Sequence, residues 1–157
     1  MPRIVKGGKY IYGVSTIHEG HKIFIPDEAV KEYQLYLSDK LILMSGSKAS
    51  GGFSLSLPGK MHNSGLSDIP YILKYNANEN SFLQKEGAII MYKKRLTTWL
   101  KFNKDNSVML PLKIAKMFNL KKNDSLIVVK GGNMGPGFIA KGLIYKEAIN
   151  YGSLIEI

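Results

Sequence analysis

Shifted by 85 residues, the chain lies on itself: residues 17–55 align without a gap on residues 102–140, and nine of these 39 positions are identical. The identities are Pro26/Pro111, Lys31/Lys116, Leu35/Leu120, Asp39/Asp124, Leu41/Leu126, Ile42/Ile127, Gly46/Gly131, Gly52/Gly137 and Phe53/Phe138. Conservative pairs such as Ile23/Val108, Ile25/Leu110 and Tyr33/Phe118 fill the intervals. A duplication of this kind constrains the fold more than any composition value. Each copy is one supersecondary unit, and such units bury their apolar faces against a neighbour.

Each copy reads the same way. Residues 10–17 and 95–102 are rich in Ile, Tyr, Val, Thr and Trp and read as strands. Residues 23–25 and 108–110 are short apolar runs that stop at Pro26 and Pro111, which cannot donate to a ladder. After each proline, apolar residues recur with helical spacing at Ala29, Val30 and Tyr33, and at Ile114, Ala115 and Phe118. The proline suits the first helical turn, and Asp27 with Glu28 complement the helix dipole. Helices of about two turns are marginal alone and must pack on strands. Asp39 and Asp124 then sit in turns that open strands over 41–45 and 126–130. Glycine-rich loops, 45–52 and 131–137, lead to return strands beginning at Phe53 and Phe138. One unit is β-β-α-β-β. The chain therefore divides into a first repeat, 1–57, a connecting segment, 58–88, and a second repeat, 89–157.

Cations are unevenly spread. Residues 1–57 carry 7 basic and 5 acidic side chains, residues 58–88 carry 3 and 3, and residues 89–157 carry 12 and 4. Most of the net charge of +10 thus lies in residues 89–157, and such an excess attracts polyanions, nucleic acid foremost. The chain has no cysteine, which excludes disulfide scaffolds, thiolate nucleophiles and cysteine metal sites. The basic start at Arg3 and Lys6 lacks an apolar signal run, and the longest uncharged apolar stretches fall far short of the roughly 20 residues a membrane helix needs. The expectation is a cytoplasmic protein without membrane contact.

The unit resembles the AbrB/MazE/SpoVT family of swapped-hairpin DNA-binding domains. The matching pieces are a polar turn, a β run ending in Ile-Pro or Leu-Pro (22–26 and 107–111), a short helix, and Leu-x-x-x-Asp-x-Leu (35–41 and 120–126) leading into an apolar strand. The resemblance implies a mostly β fold with short helices. In it, two copies interleave hairpins as one barrel, here an intrachain pseudo-dimer, with a homodimer that pairs like repeats as the runner-up. It also implies double-stranded DNA as partner and a role in transcription regulation. The family's Gly-Arg before the second strand is His21-Lys22 in the first copy and Asn106-Ser107 in the second. The basic positions carried over are Lys22, Lys31, Lys101 and Lys116, to which the second copy adds Lys93, Lys94, Arg95, Lys104 and Lys113. Lysine in place of arginine suits backbone positioning, with sequence read through DNA shape. An antitoxin-like or other protein-binding or ligand-binding role on the same barrel is the alternative.

Other signals read as ordinary structure. His18 and His21 form an H-x-x-H pair on a turn without a carboxylate cluster, so exposed histidines are expected rather than a metal site. The glycine-rich loops lack the P-loop pattern and join strands, so turn chemistry explains them. Ser15 with His18 and His62 with Ser64 lack a third partner, no nucleophile motif appears, and no catalysis or cofactor is expected. Trp99, Tyr10, Tyr12 and Tyr92 lie in expected strands, where packing outweighs stacking on bases. In the connecting segment, 71–75 reads as a short strand and 76–80 as a turn; at the C-terminus, 143–151 reads as a short helix and 153–157 as an edge strand.

Overall fold

A computed structural model describes residues 10–46, 51–62, 68–142, 145–146 and 156–157, without the side chains of 61 and 62. In chain order the elements are β1 (Ile11–Thr16), β2 (Lys22–Phe24), α1 (Asp27–Glu32), β3 (Lys40–Ser45), β4 (Phe53–Ser56), α2 (Pro58–His62), α3 (Asp68–Ile72), β5 (Tyr75–Asn76), β6 (Ser81–Phe82), β7 (Ile90–Tyr92), β8 (Arg95–Lys101), β9 (Ser107–Met109), α4 (Leu112–Met117), β10 (Ser125–Val129) and β11 (Gly137–Ile139). The protein is mostly β with short helices.

Seven strands form one open antiparallel sheet in the order β1-β10-β11-β4-β3-β8-β7, while β2 and β9 pair as a separate ribbon. The registers repeat at the spacing of the sequence duplication. Val14 lies opposite Ile127 in β1·β10, and Ile42 lies opposite Trp99 in β3·β8, the same two positions with the copies exchanged. Ile23 faces Val108 in β2·β9, and Phe53 faces Phe138 across β4·β11, so each of these residues meets its own counterpart.

Local chemistry sets the element ends in both copies alike. Pro26 and Pro111 hold extended backbone (φ −53°, ψ 136° and φ −57°, ψ 145°) and begin helices whose first N–H groups have no ladder partner to lose. Each helix ends at Glu32 or Met117, and one residue past the capping Tyr33 or Phe118 the backbone turns left-handed at Gln34 and Asn119, both at φ 55°. His21 and Asn106, again counterparts, take φ 59° and 65° in the turns that precede β2 and β9.

The main core lies between the sheet and the layer formed by the ribbon, α1 and α4. Buried pairs at the repeat spacing fill it, among them Ile25/Leu110, Val30/Ala115, Leu35/Leu120 and Leu41/Leu126. Phe53 and Phe138 stack at 5.1 Å between ring centroids, and Phe118 leans on Phe53 at 5.4 Å. Close backbone approach explains two of the loop glycines. A Cβ on Gly52 would stand 1.6 Å from the Phe138 carbonyl oxygen, and one on Gly135 would stand 1.8 Å from that of Leu55.

The outer face of the sheet is apolar as well, and other parts of the chain cover it. Ile42 and Met44 are buried under Ile69 and Leu73 of the connecting segment, with Phe82, Ile90 and Tyr92 packed alongside. On the other wing Ile11, Val14, Ile127, Val129 and Ile139 form a cluster against which Tyr145 packs. At that edge the Thr16 N–H donates to the Ile157 carbonyl (2.7 Å) and the Ile157 N–H to that of Val14 (2.8 Å).

The strand expected over 71–75 is a correction: residues Asp68–Ile72 form α3 and only Tyr75 joins a strand. Asp68 and Pro70 both suit a first helical turn, and Ile69 and Leu73, four residues apart, face the sheet together. The turn expected at 76–80 is present as 77–80. The C-terminal helix and edge strand lie mostly outside the described residues; Tyr145 and Lys146 are helical, and Glu156 bridges Val14 in parallel.

Removing a ring from the centre of the core tests this arrangement. Phe138→Ala is expected to lower unfolding free energy by about 3–5 kcal/mol, read as a shifted urea midpoint. Phe82→Ala, whose half-buried ring stacks on Trp99 at 4.9 Å outside the main core, is expected to cost clearly less.

Candidate nucleic-acid interface

The strand β8 carries cations at both ends. Arg95 and Lys101 lie on the same side of it, six residues apart, and at about 3.3 Å per residue this separates them by roughly 20 Å. The nine basic positions expected from the sequence accordingly fall into different places.

At the Lys101 end, acids accompany the cations. Lys22 Nζ lies 3.1 Å from the Asp105 carboxylate and over the Phe24 ring at 5.2 Å. Lys101 stands opposite Lys40 across β3·β8, an unfavourable cross-strand pair. Asp39 relieves it by binding Lys40 Nζ at 2.8 Å, while Glu86 accepts the Lys101 backbone N–H at 2.7 Å. Lys104 is exposed in the turn beside Asp105. On α1, Lys31 is tied to Asp27 at 3.0 Å, one helical turn earlier.

At the Arg95 end the balance differs. Strands β7 and β8 form a hairpin in which Tyr92 pairs with Arg95, leaving Lys93-Lys94 as a two-residue loop at the tip. The C-terminal end of helix α4 lies alongside, with Met117 lining the same groove as Lys94, while its N-terminal end, at Pro111, packs against Gly87, whose N–H donates to the Trp99 carbonyl toward the Lys101 end. Lys113, Lys116 and Met117 have i, i+3, i+4 spacing and are all exposed, so they share the helix's outer face, while Ile114 and Ala115 are buried. The groove, of about 450 Å³, is also lined by Met91, Gly46, Asn119 and Lys141. Among the described residues, none of Lys93, Lys94, Arg95, Lys113, Lys116 and Lys141 forms an ion pair. Arg95 Nη1 reaches the Met44 sulfur at 3.7 Å, and Lys93 lies over the Tyr92 ring at 5.4 Å.

The structure thus puts Lys93 and Lys94 at one hairpin tip, with Lys116 next to the Met117 that lines the groove of Lys94; Arg95 turns to Met44 on the opposite face of the sheet, and Lys113, Lys22, Lys31, Lys101 and Lys104 are not joined to this group. Lys141 joins the first group without having been foreseen. Its signal was present, since it follows directly on the return strand that begins at Phe138, but its first-copy counterpart is Ser56 and the alignment gave it no weight.

The aromatic candidates are occupied by packing. Trp99 donates its indole N–H to the Gln84 carbonyl at 3.0 Å and stacks on Phe82. The Tyr10 and Tyr12 hydroxyls donate to Glu28 and Glu32, and the Tyr92 hydroxyl to Asp68. Burial, then the Glu32 carboxylate, pushes the Tyr12 phenol far above its usual range. His18, expected to be exposed, is half-buried with its ring edge-on to Phe24 at 5.4 Å, because the turn folds it back over β2. No group of three or more metal-ligating side chains occurs among the described residues. No helix among them is long and apolar enough to cross a membrane.

Compared with known proteins, the chain matches no family model and no curated sequence.

The acidic end gives a pH prediction. The hydrogen bond from Lys40 holds the Asp39 carboxyl below its ordinary range. A depressed pKa contributes stability above the unfolded value of about 4, and that contribution is lost as pH falls through the folded value. With Asp39 largely exposed, Asp39→Asn is expected to lower stability at pH 7 by less than about 1 kcal/mol. Urea denaturation across pH is expected to show this difference vanishing below the folded pKa. A gap that persists in strong acid would assign the side chain a role of shape rather than charge.

Proposed function

We propose that this protein is a DNA-binding transcriptional regulator in which two AbrB-like halves of one chain interleave as a swapped-hairpin barrel and dock a basic end on duplex DNA. In this reading the open sheet and the β2·β9 ribbon together make the barrel wall. The exchanged registers, Val14 with Ile127 and Ile42 with Trp99, support the interleaving. The observation that carries the DNA reading is the set of cations at and beside the hairpin tip, Lys93, Lys94, Lys116 and Lys141, none of which forms an ion pair among the described residues.

The mechanism is electrostatic. Lysines on α4 and at the hairpin tip neutralise phosphates and release condensed counterions, and this term is independent of base sequence. The first copy takes little part, because Lys22 and Lys31 already answer Asp105 and Asp27. Sequence preference then comes from groove width and deformability.

The exposed Met91 and Met117, 62% and 55% accessible, favour a second reading in which the same groove takes a protein partner. Titrating a fluorescent random duplex between 50 and 200 mM salt separates the two. The DNA reading expects log K to fall with log salt at about 0.9 per phosphate contact, and Lys116→Ala/Lys141→Ala to reduce that slope by roughly 1.8. A flat salt response, or no binding at 50 mM, would overturn it.

A further inference from the structure

The two residues at the tip of the β7–β8 hairpin have the wrong side chains for their backbone. Tyr92 pairs with Arg95, so Lys93 and Lys94 alone make the turn, at φ 47° and φ 66°. Two consecutive residues with positive φ are what a tight hairpin's turn requires, and Asn-Gly or Gly-Gly supply that conformation without a Cβ clash. Lysine at either position holds a sparsely populated conformation that the surroundings must enforce. At the repeat spacing, the first copy carries Gly8 where the second carries Lys93.

Among the described residues neither lysine has an acidic partner. Lys94 lines the open groove with Met91 and Met117, and the exposed Lys93 lies over the neighbouring Tyr92 ring at 5.4 Å. Both stand at the end of the molecule where Lys141 and Lys116 also lack acidic partners. A strained position filled by a cation with no acidic partner points outward, to a ligand.

We infer that Lys93 and Lys94 are phosphate contacts held at the hairpin tip at the expense of turn stability, and that the β7–β8 ribbon, together with α4, is the part of the protein that meets duplex DNA. This rests on the DNA reading above. It goes beyond that reading in assigning the contact to one turn and in tying binding to a stability defect at the same two residues.

The test is Lys93→Asn/Lys94→Gly, which gives the turn its preferred residues and removes two cations. Thermal unfolding is expected to rise by roughly 2–6 °C. In the same variant the salt slope for a random duplex is expected to drop by about 1.8, with affinity at 0.1 M salt down roughly 60-fold. Unchanged affinity and slope, in a setting where the parent binds, would overturn the hairpin assignment and leave the DNA reading standing. A parent protein that binds no duplex would instead overturn the DNA reading and this inference with it. Weakened binding without a rise in melting temperature would remove the stability defect and so refute the inferred conflict.

Discussion

The structure depends on strands that find their ladder partners in the other copy. Strand β1 has β10 as its antiparallel neighbour, β8 has β3, and β2 has β9, all across the duplication. Within one copy, by contrast, the sheet pairs β3 with β4, β10 with β11 and the short β7 with β8. The first copy alone would therefore leave two of its four strands, β1 and β2, with unpaired backbone groups, together with a two-turn helix too short to stand alone. Phe53 against Phe138 and Ile23 against Val108 close the arrangement, because at these points the two copies contribute the same residue position to one contact. Their burial explains why the aromatic pair is identical while many surface positions have diverged.

That divergence is where the electrostatics of the molecule arise. Two copies with a shared framework need not share a surface, and here they do not. The first copy places Glu28 and Glu32 on its helix, where they hold Tyr10 and Tyr12 and, through Glu32, Lys130 at 3.4 Å. The second copy has Lys113 and Met117 at those same helical positions. One side of the framework is consequently stitched by acid-to-phenol and acid-to-lysine contacts, and the other is left cationic. At low dielectric cost, exposed like charges on α4 and the neighbouring hairpin repel one another only weakly in salt, yet they sum to a field that a polyanion feels.

Much of the framework was legible in the residues. The proline that ends each second strand, the helical spacing after it and the Asp-led turn appear twice, and the structure puts equivalent elements at equivalent residues: Lys22–Phe24 and Ser107–Met109, Asp27–Glu32 and Leu112–Met117. The connecting segment was less legible. Its helix at Asp68–Ile72 is a single turn and a half, too short for periodicity to speak, and its two-residue strands exist because Tyr75 stacks on Phe82 and Phe82 on Trp99. These are tertiary facts. The clustering of Lys141 with Lys94 was hidden for the same reason: it follows from which loops meet, and nothing in local composition records that. The separation of Lys101 from Arg95 was by contrast readable from strand geometry alone.

The connecting segment is more than a tether. A sheet with Ile42 and Met44 on its outer face, and Ile127 and Val129 at the counterpart positions, is apolar on both sides and needs cover on both wings. Residues 58–88 supply it for the first pair through Ile69 and Leu73. For the second pair the cover is Tyr145, with Glu156 and Ile157 laid along β1. Those residues follow the aligned stretch 102–140 as the connecting segment follows 17–55. Each aligned stretch is thus followed by residues that return over the strand pair to which its copy contributes its third strand. An apolar cover of this kind can be built from many side chains, whereas a shared contact such as Phe53 with Phe138 cannot, which is why the aligned residues keep their likeness and the covering ones show none.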